Sequence, residues 1–261
     1  MNDQPSTLTA IALAWREADD LEPCFASVRP LVDSIWARTL VVLDHQADEA
    51  TAAAAHRAAE RVVTNRFEHF AGQRNFALSY ADTEWVFFID ADERATPELC
   101  DEIARAIDGR ECGAWRVPRR NIFFGREVRH TGWWPDYQVR LFRRAGTRYD
   151  ETRKVHELPT LDGETCTLLN PLIHYNYRSW GQFIEKQRAY APLEAQALYA
   201  GGARARPRSL VGQPAREFWR RFVQYRGWKD GLLGLALSVA MSAYKFEVYR
   251  RLRTLQRSSA P

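Results

Sequence analysis

The run WVFFIDADE, Trp85 to Glu93, ends an apolar stretch in three carboxylates, Asp90, Asp92 and Glu93. Two aspartates one residue apart at a strand end present their oxygens to one divalent cation, directly or through water. Hard cations such as Mg²⁺ take oxygen ligands and complete their shell with substrate phosphates. The pair alone recurs by chance in many proteins. Its weight here comes from its place at the end of an apolar strand.

That strand closes an alternating series. LTAIALAW, TLVVLD, RVVTN and WVFFID are short apolar runs, separated by an acidic helical stretch from Asp20, the alanine-rich Thr51 to Glu60, and GQRNFALSYA. Such alternation predicts a parallel sheet covered by helices. In open sheets of this kind ligands bind beyond the carboxyl ends of the strands. The runs end at Arg16-Glu17, Asp44, Asn65 and Asp90-Ala91-Asp92. A turn or helix cap explains any one of these, but poorly all four together. Thr96-Pro97 then reads as N-cap and first helical position, with Glu98, Asp101 and Glu102 near the positive helix end. The section from Ala114 to Tyr177 reads as mixed β and loop, the natural place for a second substrate, and the pattern turns helical from Ser179.

The 261 residues, 46% hydrophobic, 12% aromatic and 27% charged, exclude a largely disordered chain. Cys24, Cys100, Cys112 and Cys166 lie far apart without metal-type spacing, so neither a zinc site nor a disulfide scaffold is expected and a reducing compartment fits. MNDQPSTLTAIALAW has no basic region before its apolar run and reads as a first strand rather than a signal peptide. The net charge of +4 is uneven: residues 204–261 hold 13 Lys/Arg against 3 Asp/Glu. A polyanionic partner is implied. The apolar centre Gly231 to Tyr244 is 14 residues long, short of the roughly 20 that span a bilayer. Flanked by FWRRFVQYRGWKD and KFEVYRRLRTLQR, it reads as helices lying in the interface of an anionic membrane, with no nucleic-acid role. The alternative is a helical cap with a solvated basic face.

The array resembles a family 2 glycosyltransferase of GT-A fold, in particular the branch of lipopolysaccharide core biosynthesis. FIDADE before a proline-started helix carries the likeness, with GQRNFAL (Gly72 to Leu78), GWWPDYQVRLFRR (Gly132 to Arg144), VHE (Val155 to Glu157), IHYNYRS (Ile173 to Ser179), the Tyr190 region and WKDGLLGL. Two stretches depart from it: Arg16-Glu17 stands where the family has Asn-Glu, and DHQADEAT (Asp44 to Thr51) where it has DSGSTDGT. The resemblance implies an α/β Rossmann-like, mostly parallel sheet flanked by helices. A GT-A domain would span 1–200, with a nucleotide-sugar half 1–110 and an acceptor half 111–200. Residues 201–261 would form a basic amphipathic helical extension at the membrane interface.

It also implies inverting transfer from a nucleotide diphosphate sugar to a lipid-linked or lipopolysaccharide-core acceptor, with Mg²⁺ or Mn²⁺, at the inner face of the cytoplasmic membrane. Asp90 and Asp92 would hold the metal, with His174 either a further ligand or a structural histidine. The donor would meet Glu17, Asp44, Arg74, Asn75 and Asp90. Glu157 and Asp136 compete as the base, each alternatively paired with Arg140, Arg143 or Arg153. Trp133 and Trp134 would face the acceptor, unless they pack in the core. Arg140 is either diphosphate-directed or structural. Two further readings stand beside this one: a non-catalytic membrane-attached binding protein of the same fold, and a nucleotidyltransferase, which would normally show a glycine-rich phosphate loop that LAWREADD lacks.

Overall fold

The chain is described here by a computed structural model covering residues 7–109, 112–152 and 159–258. Its elements run β1 (Leu8–Ala14), α1 (Ala18–Ser27), α2 (Arg29–Ile35), β2 (Arg38–Asp44), α3 (Glu49–Ala58), β3 (Arg61–Asn65), α4 (Phe70–Tyr80) and β4 (Trp85–Phe88). There follow β5 (Glu93–Ala95), α5 (Pro97–Gly109), β6 (Ala114–Phe123), β7 (Arg126–Val128), β8 (Asp136–Arg143), β9 (Arg148–Tyr149), β10 (Pro159–Thr160), β11 (Thr165–Thr167) and β12 (Leu172–Tyr177). The chain ends in α6 (Trp180–Ala200), α7 (Ser209–Trp219) and α8 (Gly231–Ser258). Two compact units result, one of residues 1–119 with 136–174 and the other of 120–135 with 175–261.

The first unit is built on a sheet whose strands follow the order β3-β2-β1-β4-β8-β6-β12-β5. β1 pairs in parallel with β2 and β4, and β2 with β3, while β8 runs antiparallel to β4 and β6. The alternating series of the sequence is thus the parallel half. Successive residues of a strand point to opposite faces, and β1 shows the result. Leu8, Ala10 and Ala12 join a cluster with Leu21 and Phe25 of α1, Leu31 of α2, Ala54 of α3 and Leu99 and Ile103 of α5. Ile11, on the other face, joins Val42, Ala71 and Ala77 of α4, and Tyr149. β1 lies between β2 and β4, so the order reverses beside it. A crevice at the carboxyl ends of β1 and β4 is the expected outcome of that switch.

Local chemistry starts the helices, at Thr96-Pro97 as the sequence reads and at Asp48, just ahead of the alanine-rich run. Leu99 N–H donates to Thr96 Oγ1 at 3.2 Å ahead of Pro97, and Thr51 N–H to Asp48 Oδ1 at 2.7 Å at the head of α3. The cysteine expectation needs correction. Cys112 and Cys166 form a disulfide, with Cα atoms 6.1 Å apart across 54 residues of sequence. Parallel pairing of β11 with β6 sets Cys166 opposite Trp115, which sequence spacing cannot reveal. Gly113 is required beside this join, because a Cβ there would meet the Asp162 carbonyl at 1.8 Å. Cys24 and Cys100 remain buried thiols, and burial pushes that of Cys100 up to about 12.

In the second unit α6 and α7 pack on α8. One cluster gathers Phe123, Val128, Tyr177, Phe183, Leu237 and Met241, and another Ala191, Ala195, Ala205, Val248 and Leu252. Ser179 caps α6 by accepting from Gln182 N–H at 3.2 Å. The close crossing at the start of α8 needs Gly234, where a Cβ would lie 1.9 Å from the Gly227 carbonyl. Between α7 and α8 the backbone forms a π-helical turn, Arg220–Gln224, and a 3-10 turn, Gly227–Asp230. Helical structure thus extends the 14-residue apolar centre: Gly227–Ser258, 32 residues, is long and apolar enough by length and composition to cross a membrane. Only 28% of its apolar window is buried.

Candidate active site

Asp90 follows β4 directly, and the antiparallel partner β8 brings Arg140 to it. Arg140 donates from Nη1 to Asp90 Oδ1 at 3.0 Å and from Nη2 to Asp90 Oδ2, and the same Nη2 reaches Glu93 Oε1 at 2.6 Å. Glu93 is fully buried and accepts the Asp90 N–H on its other oxygen at 3.0 Å. Glu93 is the buried post to which Arg140 and the Asp90 backbone are tied. Arg119 joins from β6, donating to Glu93 Oε1 at 3.3 Å and to Asp136 Oδ2 through Nε at 2.9 Å. The register of β6 against β8 sets Arg119 opposite Asp136.

Electrostatics fix the charge states. Burial alone would raise the Asp90 carboxyl, but the Arg140 guanidinium, with Arg74 and Arg119, reverses this and holds it well below the usual carboxylate range. Burial likewise disfavours the Arg140 cation, and Asp90 and Glu93 more than restore it. Arg74, on α4, lies 3.8 Å from Asp90 Oδ1 and sits over the Phe88 ring at 5.2 Å.

Asp92 points elsewhere. Its Oδ2 lies 3.4 Å from His174 Nε2, and the Asp92 side chain is 36% exposed. β12 delivers His174 because it pairs with β5, setting His174 opposite Glu93. The DAD run therefore divides its two aspartates, Asp90 to the arginines and Asp92 to the imidazole. An exposed carboxylate oxygen converging with a ring nitrogen is a donor set that fits a divalent cation which also takes phosphate oxygens. Among the described residues no three such groups form a complete cage. The balance of the cluster supports the fit, since Asp90, Asp92, Glu93 and Asp136 outnumber the cations Arg74, Arg119 and Arg140.

The other sequence candidates divide by occupation. Glu17 accepts the N–H groups of Trp15 at 2.6 Å and Arg16 at 2.8 Å, at the end of β1. Asp44, ending β2, accepts from Gln46 N–H at 2.7 Å. Asn75 is held against β9, donating to the Tyr149 carbonyl at 2.9 Å and accepting its N–H at 2.8 Å. Asp136 is tied by Arg119 and by Gln138 Nε2 at 3.0 Å. Glu157 lies outside the described residues, as does Arg153. Trp133 and Trp134 belong to the second unit: Trp133 packs on Phe123 with ring centroids 4.9 Å apart, while Trp134 is the more exposed of the two. Sequence reasoning missed Arg119 and Tyr149. Their roles come from strand register and from the turn that seats Tyr149 between Arg74 and Asn75, and no local motif signals either.

The family model described as Glycosyl transferase family 2 matches residues 9–161. The lipopolysaccharide core biosynthesis glycosyltransferase LpsC of Rhizobium meliloti (strain 1021) is 29% identical over 94% of this chain and 92% of its own length. An uncharacterized glycosyltransferase of Rickettsia prowazekii (strain Madrid E) is 22% identical over 97% of this chain and 88% of its own. Among solved structures, S. aureus TarS 1-349 covers 97% of this chain and 92% of that chain at 13% identity, with a TM-score of 0.46. Glucosyl-3-phosphoglycerate synthase from Mycobacterium tuberculosis, in complex with Mn²⁺, UDP and phosphoglyceric acid, covers 44% of this chain and 43% of that chain at 20% identity and a TM-score of 0.38. With the family model spanning the parallel half of the sheet, the DAD run and the arginines that hold it, this chain belongs to glycosyl transferase family 2 and is a glycosyltransferase of GT-A fold.

Proposed function

We propose that this glycosyltransferase moves a sugar, with inversion, from a nucleotide diphosphate sugar to a lipopolysaccharide-core or other lipid-linked acceptor, assisted by Mg²⁺ or Mn²⁺. The observation that carries this reading is the split of the DAD run, with Asp90 locked by Arg140 and Asp92 left beside His174. Asp92 and His174 would hold the cation, whose contribution when bound is to stabilise charge on the departing diphosphate. Asp90 would keep Arg140 as its partner and offer its exposed edge to the donor. Arg74 would stand toward the diphosphate, and Glu17 and Asp44, at the ends of neighbouring strands, toward the nucleoside.

In the transfer, the acceptor hydroxyl oxygen bonds to the anomeric carbon as the carbon–oxygen bond to the diphosphate breaks. The bonding pair leaves with the diphosphate and the hydroxyl proton passes to a carboxylate. Asp136 is poorly placed to take it, because Arg119 and Gln138 already occupy its carboxylate oxygens. Glu157 is the base in this reading. The similarity to LpsC supports a lipopolysaccharide-core acceptor. The basic second unit, with Trp219, Trp228 and Leu232 exposed, supports peripheral attachment to the inner face of the cytoplasmic membrane.

Turnover of UDP-, GDP- and ADP-sugars against core-oligosaccharide acceptors, with Mg²⁺ or Mn²⁺, tests the reading. One donor is expected to react, to lose turnover with a chelator, and to give the inverted anomer by NMR. Asp92→Ala should cost about a thousand-fold in kcat while leaving the unfolding midpoint unchanged. Full activity in that variant, or with chelator present, would remove the metal site as drawn.

A further inference from the structure

The second unit holds a cavity of about 290 Å³ that the transfer reaction does not use. It lies between α7, the π-helical turn and α8, and its charged lining is Arg216, Arg220, Lys245 and Glu217. Glu217 is already neutralised, accepting from Arg220 Nη2 at 2.8 Å and Arg221 Nε at 2.6 Å. Burial would raise its carboxyl, and Arg221 and Arg220 instead hold it below the usual range. Lys245 is paired with Glu194 of α6. Among the described residues Arg216 bonds only the neutral amide of Gln213, at 2.5 Å. Arg220 keeps a buried Nε with no hydrogen-bond partner among the described residues. The cavity thus has unspent guanidinium donors and a surplus of positive charge.

Two further features bear on its occupant. The π-helical turn that supplies Arg220 and Gln224 is a rare departure from α-helix, frequent at functional sites. The rim is apolar and exposed: Trp219, itself in the lining, is 57% exposed, and Val223 follows it by one turn. On α8, Phe246 stands one turn before the lining residue Tyr249, and Val239 continues the same exposed face. A guanidinium fork matches phosphate oxygens bidentately, and aromatic and aliphatic side chains around it suit an acyl-chain boundary. We infer that this cavity is a binding site for the phosphate headgroup of an anionic membrane lipid, seated on Arg216 and Arg220 with the apolar rim entering the bilayer. The inference rests on the membrane attachment proposed above and specifies its chemistry.

The test uses the full chain and phosphatidylcholine vesicles doped with either phosphatidic acid or oleate at matched zeta potential, so that phosphate is separated from charge. The chain is expected to bind the phosphatidic acid vesicles about ten-fold more tightly than the oleate vesicles. Arg216→Gln/Arg220→Gln should erase that preference, and Arg216→Gln alone, a change at an exposed side chain, should reduce it. Arg206→Gln/Arg208→Gln, which removes two exposed arginines outside the cavity, should weaken binding to both vesicles and leave the preference. Equal binding of the unaltered chain to both vesicles would overturn the phosphate site while sparing the membrane reading. Binding to neither would overturn both. Inorganic phosphate binding that the double variant abolishes, without any vesicle preference, would overturn the lipid as occupant. Circular dichroism melts of each variant keep loss of fold apart from loss of binding.

Discussion

At the active-site cluster of the first unit two arginines are withdrawn from water, Arg119 being 16% and Arg140 3% exposed, and each is spent on carboxylates that the sheet brings to it. In the second, Arg206, Arg208 and Arg226 stand exposed, near exposed Val211, Trp219 and Trp228. The two arrangements serve different ends. A buried ion network adds little net stability, but it fixes the position of every member. Solvated cations fix nothing, yet their field reaches a Debye length of about 8 Å at physiological salt. The active-site carboxylates are accordingly held in place, and the basic helices attract without being held.

The largest expected difference lies in removing a buried cation. Arg140→Leu leaves Asp90 and Glu93 without their shared partner and should cost about 3–5 kcal/mol in urea unfolding. A cost near zero would mean that the network is solvated and the contrast between the units is lost. Asn75→Ala, which releases both hydrogen bonds to the Tyr149 backbone, should cost about 1–3 kcal/mol by the same measurement and loosen the Arg74 seat.

Acid titration should separate the units further. Asp90 has a folded pKa below its unfolded value, so its contribution is complete above about pH 4 and is lost as pH falls below that. Glu127 follows the same sign in the second unit. Hydrogen bonds from Arg120, outweighing burial, lower it from 4.5 to about 2, so its stabilisation is complete above 4.5 and lost on falling toward 2. Urea midpoints measured between these limits should decline, and Glu127→Gln should flatten part of the fall. The smallest effect belongs to the exposed pair Arg250 and Glu247, where Arg250→Gln should leave the urea midpoint unchanged.

Local patterns in the sequence carried the parallel half of the fold, because each βα step writes its own signal: an apolar run, a polar end, a capped helix. WVFFID and Thr96-Pro97 are of this kind. The rest depended on pairings between distant segments. Cys112 met Cys166 through β11, Arg119 met Asp136 through strand register, and His174 met Asp92 through β12 and β5. The family resemblance had already singled out His174 and Asp136, but it did not reveal that Asp90 and Asp136 were committed to arginines. The helical end was legible as well: the 14 apolar residues and the flank KFEVYRRLRTLQR form one continuous helix, α8.

The chain passes between the two compact units three times, after Arg119, Pro135 and His174. Modular inheritance is constrained by that threading. No single crossover at these points moves the second unit alone: one after Arg119 takes residues 136–174 of the first unit with it, and one after Pro135 or His174 divides the second. A protein ending at His174 would retain Phe123 and Val128 with their cluster partners Phe183, Leu237 and Met241 deleted, exposing apolar surface. Exchange of the second unit as a whole would therefore require a coordinated replacement of both its segments, 120–135 together with everything beyond 174.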